Sequence, residues 1–180
     1  WAGPAPTPVT TDGFNVSTGK DTNDDWAAFF KPFTGSTANG AATGHLYQDV
    51  AGSAGLTYTL SGWAGAEKNA MVQDVVLALE FRDASGVLLG SVEQSLLSTL
   101  FVDNGKAFNY KLYSVSGVAP VGTVAVRSRF SMIDAIANPN GGGQALVADD
   151  FTLEAVPEPG TMAALGLGVM ALLRKRRRSA

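Results

Sequence analysis

Few of the usual catalytic or metal centres can be assembled from this chain. It has one histidine, His45, and no cysteine. Two-histidine zinc sites, cysteine zinc sites, a cysteine nucleophile and a disulfide framework are excluded by count. A Ser-His-Asp triad would have to use His45, and no G-x-S-x-G elbow accompanies it. His45 is read as preceding a strand, a surface or hydrogen-bonded loop histidine. Carboxylates are more plentiful. Glu67, Glu80 and Glu93 are the candidates for the paired acids of a glycosidase, yet nothing in their spacing sets two of them across a cleft. Glu80 and Arg82 share one face of a strand and read as ion-pair neighbours. The expectation is a protein that is not an enzyme.

Binding chemistry is better represented. Trp63 follows Thr57, Thr59 and Ser61 on one strand face, and an indole among hydroxyls suits stacking on the C–H face of a sugar. Arg127, Arg129, Glu80, Arg82 and Tyr113 are candidates for the polar contacts, on the condition that their strands share the sheet of Trp63. The alternative is that Trp63 caps the edge of the fold and the charges are a solvated outer face. Asp149 and Asp150 adjoin on the last strand. By alternation Asp149 falls with Val147, Phe151 and Leu153, toward the core or its rim, where a carboxylate needs a partner. Asp21, Asp24 and Asp25 form a second acidic cluster without EF-hand spacing, read as a solvated loop, with a metal held by their oxygens as the alternative.

These residues must be positioned by strands. At 180 residues and 46% hydrophobic the chain can bury one sizeable core, and 21 glycines with only 16% charged residues speak against a coiled coil or a disordered chain. Turn signals separate β-type runs at 44–50, 56–64, 75–82, 87–92, 111–118, 123–132 and 145–153, with a short one near 13–16. Asp83-Ala-Ser-Gly86 reads as a hairpin turn and Asn138-Pro-Asn-Gly-Gly-Gly143 as a loop. Alternation turns Leu56, Tyr58, Leu60, Val75, Leu77, Leu79, Phe81, Val124, Val126, Phe130 and Met132 inward. Residues 91–100 have room for one short helical turn. About eight strands predict an all-β protein, an antiparallel β-sandwich of jelly-roll type over residues 12–155. Residues 1–11, rich in Pro and Ala, read as an extended arm. The chain opens at Trp1 rather than Met, so either a leader was removed or the chain was cut ahead of it.

The charge is unevenly spread. Five of the 13 basic residues are the run Arg174, Lys175, Arg176, Arg177 and Arg178, which leaves the body with eight basic against 16 acidic residues. An acidic body argues against general nucleic-acid binding, which needs a basic face. Ahead of the run lie Val156-Pro157-Glu158-Pro159-Gly160 and the uncharged stretch Thr161 to Leu173. As a short C-terminal hydrophobic helix that stretch spans about 20 Å at 1.5 Å per residue, short for a bilayer core of about 30 Å. The basic cluster predicts a cytoplasmic end. Residues 156–178, within a C-terminal segment 156–180, resemble a PEP-CTERM sorting signal; the alternative is a plain C-terminal membrane anchor. The resemblance implies an exosortase-type processing enzyme as partner, transient contact with the membrane, and export to the surface or exterior of a Gram-negative bacterium.

The order of pieces in residues 12–155 resembles a carbohydrate-binding module of the galactose-binding-like jelly-roll type. The pieces are Asp12-Gly-Phe14-Asn15 with Trp26, then LYQDV, GLTYTLSGWA, LALEFRDASGVLLG and ALVADDFTL. The resemblance implies a glycan such as an exopolysaccharide as ligand. It also implies a structural Ca²⁺ held by a first-strand acid and a last-strand Asp, here Asn15 with Asp149 and Asp150. Asn15 replaces the usual Glu and lowers the ligand charge. The competing expectation is that Asp149 accepts backbone N–H bonds from the N-terminal segment. Function is expected to be non-catalytic: a glycan-binding surface protein, or alternatively a structural, self-associating biofilm or matrix protein without a glycan ligand.

Overall fold

A computed structural model describes residues 9–10 and 27–157. Their core forms where alternating apolar residues of two sheets meet. Nine strands run in order: β1 (Val9–Thr10), β2 (Ala28–Phe30), β3 (Ala42–Ala51), β4 (Leu56–Ala66), β5 (Asp74–Arg82), β6 (Leu88–Ser95), β7 (Lys111–Val118), β8 (Ala125–Ala135) and β9 (Leu146–Pro157). All pairs are antiparallel, in sheets ordered β1-β2-β9-β4-β7 and β3-β8-β5-β6. The protein is an all-β sandwich, as its alternation predicts. The described helical structure is a four-residue α-turn at Leu97–Leu100 and two 3₁₀ turns. The expected strand near 13–16, Asn15, Trp26, the acidic cluster at 21–25 and the hydrophobic stretch 161–173 lie outside the described residues.

Side chains from both sheets interdigitate. Val75, Leu77, Leu79 and Phe81 of β5 are buried, as are Tyr58 and Leu60 of β4 and Val126, Phe130 and Met132 of β8. Phe130 stands between Phe30 of β2 and Phe151 of β9, with ring centroids 5.1 and 6.1 Å away. Val124 departs from its expected inward place. It precedes β8 in a loop and is 46% exposed, because its N–H bonds to the Arg82 carbonyl where the sheet has already ended. Phe30 is buried in the core, whereas Phe33 is exposed.

The β5–β6 turn forms because Asp83 caps it. Its Oδ1 accepts N–H bonds from Ser85 and Val87, and Gly86 takes the positive φ that the turn requires. β9 runs two residues beyond the expected boundary at 155. Val156 pairs with Thr57 and Pro157 with Leu56, so the first two residues of the Val-Pro-Glu-Pro motif belong to the sandwich.

Candidate functional site

Trp63 lies on the outer face of the five-stranded sheet. Leu60, Ala64 and Ala66 of the same strand point into the core, and Trp63 alternates with them. It is flanked by Leu112 of β7 on one side and Asp149 of β9 on the other. Between the pairs Ser61–Thr152 and Trp63–Asp149, β9 holds one residue more than β4. Asp150, at φ 47°, sits in this bulge. Opposite it Gly62 leaves room for the Phe151 ring, since a Cβ there would lie 2.4 Å from Phe151 Cδ1.

The bulge corrects the alternation expected for the last strand. Phe151 reaches the core through Phe130, but one extra residue resets the parity. Asp149 therefore shares the outer face with Trp63 rather than the inner face with Phe151 and Leu153. A shallow groove of about 390 Å³ opens here, lined by Ser61, Trp63, Leu112, Asp150, Phe151 and Thr152. Its floor carries a hydrogen bond of 2.7 Å between the Ser61 and Thr152 hydroxyls, and Lys106 Nζ stands 5.6 Å from the Trp63 ring centroid. An indole, two hydroxyls and a carboxylate thus border one open trough.

Next to the groove the 101–110 loop closes over the sheet. Gly65 admits it: a Cβ there would meet the Phe108 carbonyl oxygen at 2.4 Å. Tyr110 is buried under this loop, and its phenol has no hydrogen-bond partner among the described residues. Burial, with the nearby charge of Asp149, pushes that phenol far above the ordinary tyrosine range. A second cavity of about 360 Å³ lies at the same end, lined in part by Glu67, Asn69, Phe108 and Gly143. Among the described residues no three His, Cys, Asp or Glu side chains are grouped as a metal site would need.

The expected polar partners of Trp63 divide. Tyr113 shares the sheet but points inward, 7% exposed, with its hydroxyl 3.2 Å from Thr99 Oγ1. Glu80, Arg82, Arg127 and Arg129 are on β5 and β8, in the other sheet. The condition that their strands share the sheet of Trp63 is not met, because alternation fixes which face a residue occupies but not which sheet its strand joins. These residues form a network of their own. Glu80 Oε1 accepts from Arg129 Nε at 2.6 Å, and Oε2 accepts from Nε and Nη2 of Arg82. Arg129 also donates to Glu93 at 2.7 Å and to Ser131 Oγ at 2.5 Å. Arg127 donates twice to Asp49, at 2.7 and 2.8 Å, and lies 3.8 Å above the Tyr47 ring.

The electrostatics follow from these partners. Burial alone would raise the Glu80 pKa, but the bonds from Arg82 and Arg129 outweigh it and hold the carboxyl below its ordinary range. The hydrogen bond from Arg127 does the same for Asp49. His45 lies within β3, half-buried, with Nδ1 2.8 Å from Ser131 Oγ. Ser131 Oγ thus joins His45 Nδ1 to the Arg129 guanidinium, which donates to it. Burial first, and then the Arg129 charge, lower the His45 pKa. The histidine is hydrogen-bonded as expected, but it belongs to β3 and not to a loop ahead of it, because β3 pairs with β8 from Ala42 onward. The pairing of Glu80 with Arg82 also agrees.

Residues 155–178 match the PEP-CTERM protein-sorting motif. A PEP-CTERM signal directs export to the bacterial cell surface and processing by an exosortase. The match covers Pro157, Glu158, Pro159 and the run Arg174 to Arg178, of which all beyond Pro157 lie outside the described residues. No curated protein matches the chain by sequence.

Among solved structures, the enzymatically active domain of bacteriophage CBA120 tailspike protein 4 is similar with a TM-score of 0.56 at 13% identity. The match covers 82% of this chain and 18% of that one, so the chain spans a small part of the tailspike. A family 16 carbohydrate-binding module is similar at TM-score 0.48 and 15% identity, covering 73% and 77% of the two chains. TmCBM61, solved with β-1,4-galactotriose, is similar at 0.44 and 22%, covering 74% and 72%. At 13% identity the likeness to the tailspike domain is one of fold alone. No helix among the described residues is long and apolar enough to cross a membrane.

Proposed function

We propose that this PEP-CTERM protein is a non-catalytic glycan-binding module displayed outside a Gram-negative cell. Its site is the groove on the outer face of the five-stranded sheet. The observation that carries the reading is the setting of Trp63: a partly buried indole in an open trough of about 390 Å³ with the Ser61 and Thr152 hydroxyls and Asp150 at its border. An indole packs on the apolar face of a pyranose, and the hydroxyls and carboxylate exchange hydrogen bonds with the sugar's own hydroxyls. The trough is shallow and open along the sheet. It therefore suits internal units of a long polysaccharide, such as a secreted matrix polymer, better than a small enclosed ligand. On this reading Asp149, across from Trp63, is a flank of the glycan site rather than a Ca²⁺ ligand.

The alternative of a self-associating matrix protein is favoured by one observation, the eight-residue edge strand β6, which is largely exposed. A polysaccharide-binding screen with the wild type and Trp63→Ala separates the two. Binding that Trp63→Ala weakens by at least about tenfold, with unchanged melting, supports the glycan site. A folded wild type that binds no polysaccharide favours the matrix role.

A further inference from the structure

The two ends of the sandwich differ in chemistry, and the sorting tail leaves from one of them. Pairing of Leu56 with Pro157, of Thr57 with Val118, and of Ala125 with both Ala51 and Arg82 brings four features to that end. They are the 52–55 loop, the β5–β6 hairpin, the 119–124 loop and the exit of the chain. Hydrogen bonds from Gly52 N–H to the Val124 carbonyl and from Gly55 N–H to the Ala119 carbonyl tie the loops together. The hairpin leans on them: a Cβ on Gly122 would touch Leu89 at 3.5 Å, and one on Gly90 would touch Pro120 at 3.8 Å.

This end is aliphatic and exposed. Val121 is 94% exposed, Val87 57%, Leu88 49% and Val124 46%. Across residues 52–55, 83–87 and 119–124 the one ionisable side chain is Asp83, already engaged in capping its turn, and Arg82 at the base of the hairpin is held by Glu80 and the Gly86 carbonyl. The opposite end also exposes Phe33, Met71 and Val102, but there Lys31, Glu67, Lys68, Asp103 and Lys106 stand among them. An apolar, nearly uncharged patch of this kind marks an interaction surface.

We infer that the tail-exit end of the sandwich rests on the lipid bilayer while the tail is in the membrane, with Val87, Leu88, Val121 and Val124 in the interfacial layer. The inference depends on the reading that residues 161–173 enter the membrane. Only Glu158, Pro159 and Gly160 separate Pro157, the last residue of β9, from Thr161, which makes four Cα–Cα steps. Fully extended, they reach about 14 Å. A chain inserted from Thr161 onward cannot hold the sandwich far from the headgroups, and the end it brings down is the aliphatic one. Aliphatic side chains without charge gain by entering the interface, whereas the charged opposite end would lose hydration. The Trp63 groove lies toward that opposite end, and would face outward from the cell.

The chain has no cysteine, so single-cysteine labels report cleanly. The full chain is reconstituted in phosphatidylethanolamine–phosphatidylglycerol vesicles with an environment-sensitive fluorophore at Val121→Cys, Asn140→Cys or Ala164→Cys. Nitroxide-labelled lipids serve as the quencher. The expected result is a blue shift and loss of intensity at 121 and 164 but not at 140, with the signal at 121 weakened by Leu88→Asp. Quenching at 164 without quenching at 121 overturns the docking and leaves the membrane-tail reading standing. No quenching at 164 overturns both. A blue shift at 121 in the absence of vesicles assigns the patch to a second copy of the chain and overturns the bilayer.

Discussion

Trp63 and Asp149 face one another across β4 and β9, one step from a bulge in which Asp150 adopts a left-handed backbone. That bulge separates two functions of one strand. Before it, β9 presents Asp149 to the outer groove. Beyond it, the same strand sends Phe151 into the core against Phe130 and runs on to the sorting motif.

The bulge depends on Gly62. Gly62→Ala sets a methyl 2.4 Å from the Phe151 ring, which is held by its core neighbours. Overpacking of this kind costs about 1–3 kcal/mol. The expected outcome is a lower urea midpoint with an unchanged slope.

Glu80 and Asp49 have unequal weight. Glu80 is 5% exposed and shared by two arginines, so Glu80→Gln leaves buried charge poorly matched. A loss of about 1–3 kcal/mol is expected. The Asp49 side chain is 42% exposed, and Asp49→Asn is expected to cost less than about 1 kcal/mol despite its two bonds to Arg127. Denaturation of the two variants side by side checks the order.

Acid acts on this same face in two stages. The folded His45 pKa lies below its ordinary value, so the unfolded chain takes up the proton first. Its contribution is complete above about pH 6.5 and falls as pH drops from there through the lowered folded value. Glu80 and Asp49 are also depressed, and their stability is present above the ordinary carboxylate range and lost as pH falls through their folded values. His45→Gln is expected to remove the first stage of a stability–pH curve and leave the second.

Sorting is separable from binding. Replacing Arg174 to Arg178 with neutral residues removes the positive end of the signal. The expected outcome is loss of tail processing, read by mass spectrometry of the C-terminus in cell fractions, with an unchanged melting temperature.

Much of this architecture is legible in the sequence because strand alternation is local. β7 begins and ends where its pattern does, at Lys111 and Val118, and the Asp83–Gly86 turn carries its own cap. The sorting signal is legible for the same reason: its parts are contiguous. What fails is non-local. Nothing in the order of residues says that β8 joins β3 and β5 while β4 joins β7 and β9, and so Arg127 and Arg129 are grouped with a Trp63 that lies on the other sheet. A bulge needs knowledge of the partner strand, so Asp149 is given the wrong face. The short strands β1 and β2 exist only through their pairings, β2 against Leu146, Val147 and Ala148, and have no alternation long enough to announce them.

The most direct test of the glycan site is the affinity of the folded protein for insoluble and soluble polysaccharides, measured for the wild type and Trp63→Ala together. Binding by the wild type that falls at least about tenfold in Trp63→Ala, with equal melting temperatures, is the predicted result. Equal binding by both proteins, or none by a folded wild type, would contradict a glycan site on this face.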